Sequence, residues 1–72
     1  MTLKEALYAA ENGLPIIHQT PVQDPIEYRR ITQVGYSYND KLERSVFLQL
    51  LDKGGRSVSY VDPEHCKVKV DG

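Results

Sequence analysis

The feature that constrains this chain most is an alternation of side chains in two runs near its middle, residues 27–38 and 44–52. The even positions of the first run are Tyr28, Arg30, Thr32, Val34, Tyr36 and Tyr38, and they are rich in β-branched and aromatic side chains. The even positions of the second run include Val46, Leu48 and Leu50. A period of two is typical of a strand with one buried face, so both runs are predicted to be β-strands.

Turn residues follow each run. Gly54 and Gly55 supply the positive φ angles that a three-residue hairpin loop with a bulge needs, because glycine has no Cβ to clash there. We expect Asp52 and Arg56 to face each other across this loop as a pair of opposite charge. The earlier loop is predicted to centre near Lys41. With a third strand over residues 57–61, the central part of the chain forms an antiparallel meander.

The two loops predict a register for the meander. The predicted pairs on one face are Val34 with Leu48, Tyr36 with Val46, Leu48 with Tyr60, and Leu50 with Val58. Each pair joins two apolar side chains, and a slip of one residue would turn the whole set to the other face. Leu48, flanked by Val34 and Tyr60, is therefore the centre of the predicted sheet.

The second face of the meander is also partly apolar and needs a cover. Its apolar residues are predicted to be Ile31, Phe47, Leu51 and Val61. An N-terminal helix is the predicted cover, since Thr2 and Glu5 have the spacing of a capping box and Gly13 marks the end of the helix. The apolar stripe of this helix is predicted to consist of Leu3, Ala6, Leu7 and Ala10. A sheet with two apolar faces favours a curled, barrel-like arrangement.

Shorter elements flank the helix and the meander. A strand over residues 15–20 is expected at a sheet edge, and two prolines make residues 21–25 a surface loop. Asp62 is predicted to cap one helical turn that begins with Pro63, and a closing strand with two lysines follows. The prediction is one mainly β domain of the α+β class over residues 1–72. Its elements are a helix over residues 2–12 and strands over residues 15–20, 27–38, 44–52, 57–61 and 66–70.

This order of elements resembles an SH3-like barrel, with the turn at residues 61–65 placed before the last strand. More of the chain resembles a group of small bacterial proteins, some of them carried on prophages or other mobile elements. The segments that carry this second resemblance are Gly13-Leu14-Pro15-Ile16-Ile17-His18, Ile26-Glu27-Tyr28-Arg29-Arg30-Ile31, Leu50-Leu51-Asp52-Lys53, Ser57-Val58 and Val61-Asp62-Pro63. The resemblance supports the boundaries of the domain and implies no catalytic or binding residues.

Composition excludes some classes of function. Nine basic residues oppose ten acidic ones, and the net charge of −1 gives no overall field that would attract nucleic acid or an anionic membrane. Cys66 is the single cysteine, so no disulfide forms within one chain, which is typical of a reducing compartment. Apolar runs last only a few residues, so no membrane span or signal peptide is expected. We therefore expect a cytoplasmic protein.

The sequence offers little material for catalysis or metal binding. His65 and Cys66 adjoin, but neighbours along a strand point to opposite faces and would not form a nucleophile and base pair. We interpret them as a surface imidazole beside a buried thiol, and His18 as a residue at the end of a strand. One cysteine and two histidines are too few for an ordinary structural zinc site within one chain. The sequence thus predicts no enzyme, no metal and no cofactor.

Tyrosines interleaved with basic residues are the best candidate for a functional surface. The members of this predicted interaction surface are Tyr28, Arg29, Arg30, Tyr36, Tyr38, Lys41 and Arg44. Such residues hold single-stranded nucleic acid on small barrels, but tyrosines at the rim of a core have the same spacing. The first hypothesis is a non-enzymatic module that binds another protein or its own copy, and a groove for an extended peptide is a further option. A nucleic-acid-binding accessory protein is the alternative, and a small enzyme with a cleft between subunits is a third.

Overall fold

The computed structural model describes residues 1–70, so residues 71 and 72 of the predicted domain lie outside the described residues. A helix precedes a five-stranded antiparallel sheet whose spatial order is β4-β3-β2-β1-β5. The elements are α1 (Leu3–Glu11), β1 (Ile16–His18), β2 (Ile26–Tyr38), β3 (Arg44–Asp52), β4 (Val58–Val61), a 3₁₀ turn (Pro63–His65) and β5 (Cys66–Val68). This architecture confirms the predicted mainly β, α+β fold.

The sheet does not close into the barrel that the sequence predicted. In the described part of the chain, β4 and β5 are the two outer strands, and three strands separate them. They have four and three residues, so each offers only a short ladder for closure. β1 was expected at an edge, but it lies between β2 and β5. The lysine-bearing β5 takes the edge position, as predicted.

The helix has the predicted ends but a different buried side. Thr2 Oγ1 accepts a hydrogen bond from the N–H of Glu5, whose carboxylate accepts from the N–H of Thr2, so the capping box is confirmed. Ala6 and Ala9 are fully buried, whereas Leu7 is 45% exposed. The predicted stripe was therefore wrong at Leu7 and missed Ala9. No helix in residues 1–70 is long and apolar enough to cross a membrane.

The core lies between α1 and the face of the sheet that carries Leu48 and Leu50. Its buried residues are Ala6, Ala9, Ile16, Tyr28, Ile31, Leu48, Leu50 and Cys66. We expected the helix on the opposite face, and that prediction was wrong because β2 does not keep a period of two. The register shifts between Tyr28 and Arg30 and again between Ile31 and Gln33. These irregularities turn Ile31 toward the core, opposite Leu50.

The register of the first hairpin is confirmed, since Val34 lies opposite Leu48 and Tyr36 opposite Val46. The register between β3 and β4 was predicted one residue away from the observed one. Val61, not Tyr60, lies opposite Leu48, and Ser59, not Val58, lies opposite Leu50. Val61 therefore joins the core side of the sheet, and Tyr60 lies on the other face with Gln49.

The cause of this difference is the loop after β3, which is one residue longer than predicted. The N–H of Asp52 donates to the carbonyl of Ser57, so residues 53–56 form a four-residue loop. Asp52 Oδ1 accepts from the N–H of Arg56 at 3.0 Å, and Oδ2 accepts from Ser57 Oγ at 2.7 Å. These hydrogen bonds to Asp52 stabilise the loop with its additional residue. The predicted charge pair between the side chains of Asp52 and Arg56 is replaced by a hydrogen bond from the backbone N–H of Arg56.

Candidate interaction surface

The seven residues of the predicted interaction surface fall into two groups. Tyr28 lies in the core and is 9% exposed, so its side chain is not part of an open surface. Arg29 and Arg30 lie next to Tyr28 near the start of β2. The guanidinium of Arg29 donates to the carbonyl of Lys53 at 3.0 Å, and Arg30 is paired with Leu51. At a rise of about 3.3 Å per residue, Arg30 is roughly 20 Å from Tyr36.

The other four residues lie at the far end of the β2–β3 hairpin. β2 is paired with β1 only at residues 26–28, and β3 is paired with β4 only at residues 48–51. The remainder of the hairpin is a two-stranded ribbon that extends past the rest of the sheet. We call residues 33–47 the ribbon end. It carries Tyr36, Tyr38, Lys41 and Arg44.

Two tyrosines and an arginine share one face of the ribbon end. Tyr38 lies opposite Arg44, and Tyr36 is the next residue of β2 on that face. The guanidinium carbon of Arg44 lies 4.5 Å from the centre of the Tyr36 ring, a cation–π contact. Tyr36 is 48% exposed and Tyr38 is 62% exposed. This face is the continuation of the core face of the sheet, but both tyrosine side chains remain exposed there.

The loop that closes the ribbon end is held by hydrogen bonds to Asn39. Its carbonyl accepts from the N–H of Leu42, its N–H donates to the carbonyl of Glu43, and its Oδ1 accepts from the N–H groups of Lys41 and Glu43. Leu42 has a φ of 63°, the left-handed conformation that glycine usually provides in this three-residue hairpin loop. Its side chain is 80% exposed. The loop therefore presents an apolar side chain to solvent from a well-bonded frame.

Sequence reasoning missed Leu42. The signal was available, because a three-residue loop that follows an asparagine needs a left-handed residue at its last position, and this chain has leucine there. The charges around Leu42 are balanced. Lys41 and Arg44 are offset by Asp40 and Glu43. The loop end is therefore not a purely basic surface.

The face of the sheet away from the helix is partly covered by its own aromatic residues. The rings of Phe47 and Tyr60 meet edge to face with centroids 5.7 Å apart, and Gln49 Nε2 donates to the hydroxyl of Tyr60 at 2.8 Å. Phe47 crosses over Gly35, where a Cβ atom would lie only 2.7 Å from Cζ of Phe47. Gly35 thus makes room for the Phe47 ring at the outer side of β2.

His18 and His65 come together where β1 meets the 3₁₀ turn. Their ring centroids are 6.3 Å apart in an edge-to-face arrangement. Burial, with a smaller effect of His65, lowers the pKa of His18, and Nδ1 of His18 is buried without a hydrogen-bond partner. No group of three or more histidine, cysteine, aspartate or glutamate residues within residues 1–70 is arranged to hold a metal. The pair is thus an edge-to-face ring contact, and burial disfavours the charged form of His18.

Cys66 is a buried thiol, and His65 is exposed, as predicted. Burial raises the pKa of the Cys66 thiol to about 11, so the nucleophilic thiolate is scarce near neutral pH. Cys66 Sγ donates weakly to the carbonyl of Asp62 at 3.5 Å. Asp62 in turn caps the 3₁₀ turn, because its Oδ1 accepts from the N–H of Glu64. These contacts are structural.

The fold and the surface together define a small α+β domain with a projecting β-ribbon that carries exposed aromatic, basic and aliphatic side chains. No family model, curated protein or solved structure matches the chain.

Proposed function

We propose that the protein is a non-enzymatic protein-interaction module that binds its partner through the ribbon end. The observation that carries the proposal is the exposed group of Tyr36, Tyr38, Leu42 and Arg44 on a ribbon that projects from the sheet. Tyrosine and arginine, together with tryptophan, are the residue types that most often supply binding energy in protein interfaces. An exposed patch of aromatic and aliphatic side chains is typical of an interaction site.

The shape and charge of the ribbon end favour a protein partner. A projecting ribbon fits a cleft or a strand edge of another polypeptide. Asp40 and Glu43 would repel a phosphate backbone at the same place where Lys41 and Arg44 would attract it. Arg29 and Arg30, the other basic members of the predicted surface, are about 20 Å away along β2. The proposed setting is the cytoplasm of a bacterial cell, with a prophage or other mobile element as the origin.

The first experiment is affinity capture with three forms of the full chain from an extract of the organism that encodes it. The wild type is compared with Tyr38→Ser/Leu42→Ser, which removes the two most exposed apolar side chains of the ribbon end. Val22→Ser is the matched control, because Val22 is 96% exposed but lies in the loop before β2. We expect the ribbon variant to retain at least about ten-fold less of the partner, a loss of about 1.4 kcal/mol, and the control to retain it fully.

Equal retention of every captured protein by the three forms would contradict the proposal. Nucleic-acid binding is tested separately by fluorescence anisotropy with a labelled oligothymidylate at low salt. Binding that falls steeply with salt and is lost in Lys41→Ala/Arg44→Ala would favour the nucleic-acid alternative over a protein partner. We expect no salt-dependent binding.

A further inference from the structure

One side of β2 is open along most of its length. β2 has thirteen residues, and β1 covers only residues 26–28 on that side. Past the bulges, β2 is paired with β3 alone, and no other strand in residues 1–70 lies beside it. The other two outer strands are much shorter, with four residues in β4 and three in β5. The open edge of β2 is thus the longest in the sheet.

The backbone groups that face the open edge follow from the hairpin loop. The N–H of Asn39 donates to the carbonyl of Glu43, which makes these two residues a hydrogen-bonded pair. Bonded and non-bonded pairs alternate in an antiparallel ladder. The pairs formed by Ser37 and by Gly35 with β3 are therefore bonded. The N–H and C=O groups of Val34, Tyr36 and Tyr38 then point away from β3, toward the open edge.

Past its two bulges, the edge of β2 lacks the usual protection against strand pairing. Natural edge strands are short, are twisted away by bulges, or carry lysine, proline or inward-pointing charge, and each of these prevents another chain from adding to the sheet. β5 follows that rule with Lys67. Residues 31–38 of β2, in contrast, contain no charged residue and no proline. The sequence of this segment is Ile-Thr-Gln-Val-Gly-Tyr-Ser-Tyr.

We propose that the open edge of β2 pairs antiparallel with the same edge of a second copy of this chain, about a two-fold axis at Gly35. The proposal rests on the proposed function and names the partner of the ribbon end. A second copy is the occupant that these residues fit, because a segment without charge meets no like-charge repulsion when it pairs with itself. Any strand paired antiparallel to its own copy gives a closed, isologous dimer.

The register follows from the same residues. When Gly35 lies opposite Gly35 of the second copy, Val34 of each copy lies opposite Tyr36 of the other. The N–H and C=O groups of these two residues point toward the open edge, so they form hydrogen bonds between the copies. Gln33 then lies opposite Ser37, and Thr32 opposite Tyr38. Valine with tyrosine is a favourable cross-strand pair. A centre at Tyr36 would instead bring Asp40 against Thr32, outside the uncharged segment.

The size of the contact predicts a weak dimer. Seven residues of an edge strand bury less than the roughly 1,000 Å² that stable interfaces exceed. We therefore expect a dissociation constant on the order of 100 µM and a rapid exchange of subunits. Sedimentation equilibrium of the full chain over a range of concentrations measures it directly. The average mass is expected to rise with concentration from 8.2 kDa toward twice that value.

Charge variants at Gln33 and Ser37 test the edge and its register together. Gln33→Lys/Ser37→Lys places lysine opposite lysine in both pairs that residues 33 and 37 form, and Gln33→Lys/Ser37→Glu places lysine opposite glutamate in the same pairs. We expect the first variant to weaken the dimer at least about ten-fold and the second to restore it or tighten it. Val22→Lys/Val58→Lys is the control, since it adds the same two charges at exposed sites away from the edge. Far-ultraviolet circular dichroism confirms that each variant folds.

A wild type that stays at 8.2 kDa at every concentration would overturn the proposal. Equal dimer formation by the two charge variants would overturn it as well, because the copies would then meet through another surface. Neither result affects the proposed function if the capture experiment still depends on Tyr38 and Leu42. Loss of that dependence, in contrast, removes the proposed role of the Tyr38 and Leu42 side chains, even where the chain dimerises through the edge of β2.

Discussion

Leu42 shows how a single residue can oppose the stability of its own loop. Its φ of 63° brings Cβ too close to the backbone, which costs an L-residue about 1–2 kcal/mol. The side chain gains little in return, because it is 80% exposed. An exposed and strained residue that glycine could replace is a common mark of function. This is a further reason to place the interaction surface at the ribbon end.

Leu42→Gly is expected to stabilise the fold by about 1 kcal/mol, since glycine adopts the left-handed conformation without strain. Urea unfolding monitored by circular dichroism measures the change in the free energy of unfolding. Leu42→Ala is the control, because it removes the exposed side chain but keeps the Cβ atom, and it should give no gain. A glycine variant less stable than the wild type would show that the leucine side chain contributes to the loop.

His18 is expected to make the stability of the fold depend on pH. Burial lowers its pKa below the usual 6.5, so the unfolded chain binds a proton more readily than the folded chain. The stabilising contribution of the neutral ring is therefore complete above pH 6.5 and is lost as the pH falls through the lowered pKa. Carboxylates with lowered pKa, such as Glu27 held by Lys53 and then Lys69, are affected only in more acidic solution.

Thermal unfolding at a series of pH values from about 7.5 to 5 tests this expectation. The midpoint should fall with pH in the wild type, and His18→Leu should flatten the curve. His65→Gln should flatten it partly, since His65 makes the smaller contribution to the lowered pKa of His18. If His18→Leu has the same pH dependence as the wild type, the effect comes from other groups.

At the scale of elements, α1 approaches the sheet through alanines. Ala6 and Ala9 are both fully buried, so a longer side chain at either position would have to enter the core. The larger Leu7 and Tyr8 point outward. The sequence indicated the helix and its caps correctly. It could not indicate which side is buried, because leucine has the greater hydrophobicity and only the close packing of the helix favours alanine.

Ala9→Leu is expected to lower the free energy of unfolding by about 1–3 kcal/mol, because the added carbon atoms must enter a packed core. Urea unfolding gives the value. Tyr8→Leu is the matched control on the same helix, and its effect should stay within about 0.5 kcal/mol because residue 8 is exposed. A stabilised Ala9→Leu variant would mean that the space between α1 and the sheet is larger than the structure shows.

At the scale of the whole molecule, the sequence predicted the order and type of every element, because alternation and turn residues are local signals. The errors arose where contacts between residues far apart in the sequence determine which face of the sheet a side chain occupies. Two bulges in β2 turned Ile31 to the core, and one residue more in the loop after β3 exchanged the faces of Tyr60 and Val61. Closure of the sheet into a barrel depends on the twist and the length of the strands, and the local sequence pattern does not predict these properties.

The sequence also predicted part of the candidate interaction surface correctly. Tyr36, Tyr38, Lys41 and Arg44 do lie together at the ribbon end, because residues near one hairpin loop must be neighbours. The predicted strand over residues 27–38 already placed Arg29 and Arg30 at the opposite end of the hairpin. The sequence did not show that Tyr28 is buried, because its burial depends on where β1 and α1 cover β2.

The position of β5 beside β1 has a consequence for the order in which the chain assembles. The two hairpins of the meander close loops of only a few residues, whereas the ladder between β1 and β5 joins Ile16 to Val68. Short loops close sooner and at smaller entropic cost than long ones. We therefore expect the meander to form before the transition state of folding. The ladder between β1 and β5 should form after it and join the two ends of the polypeptide.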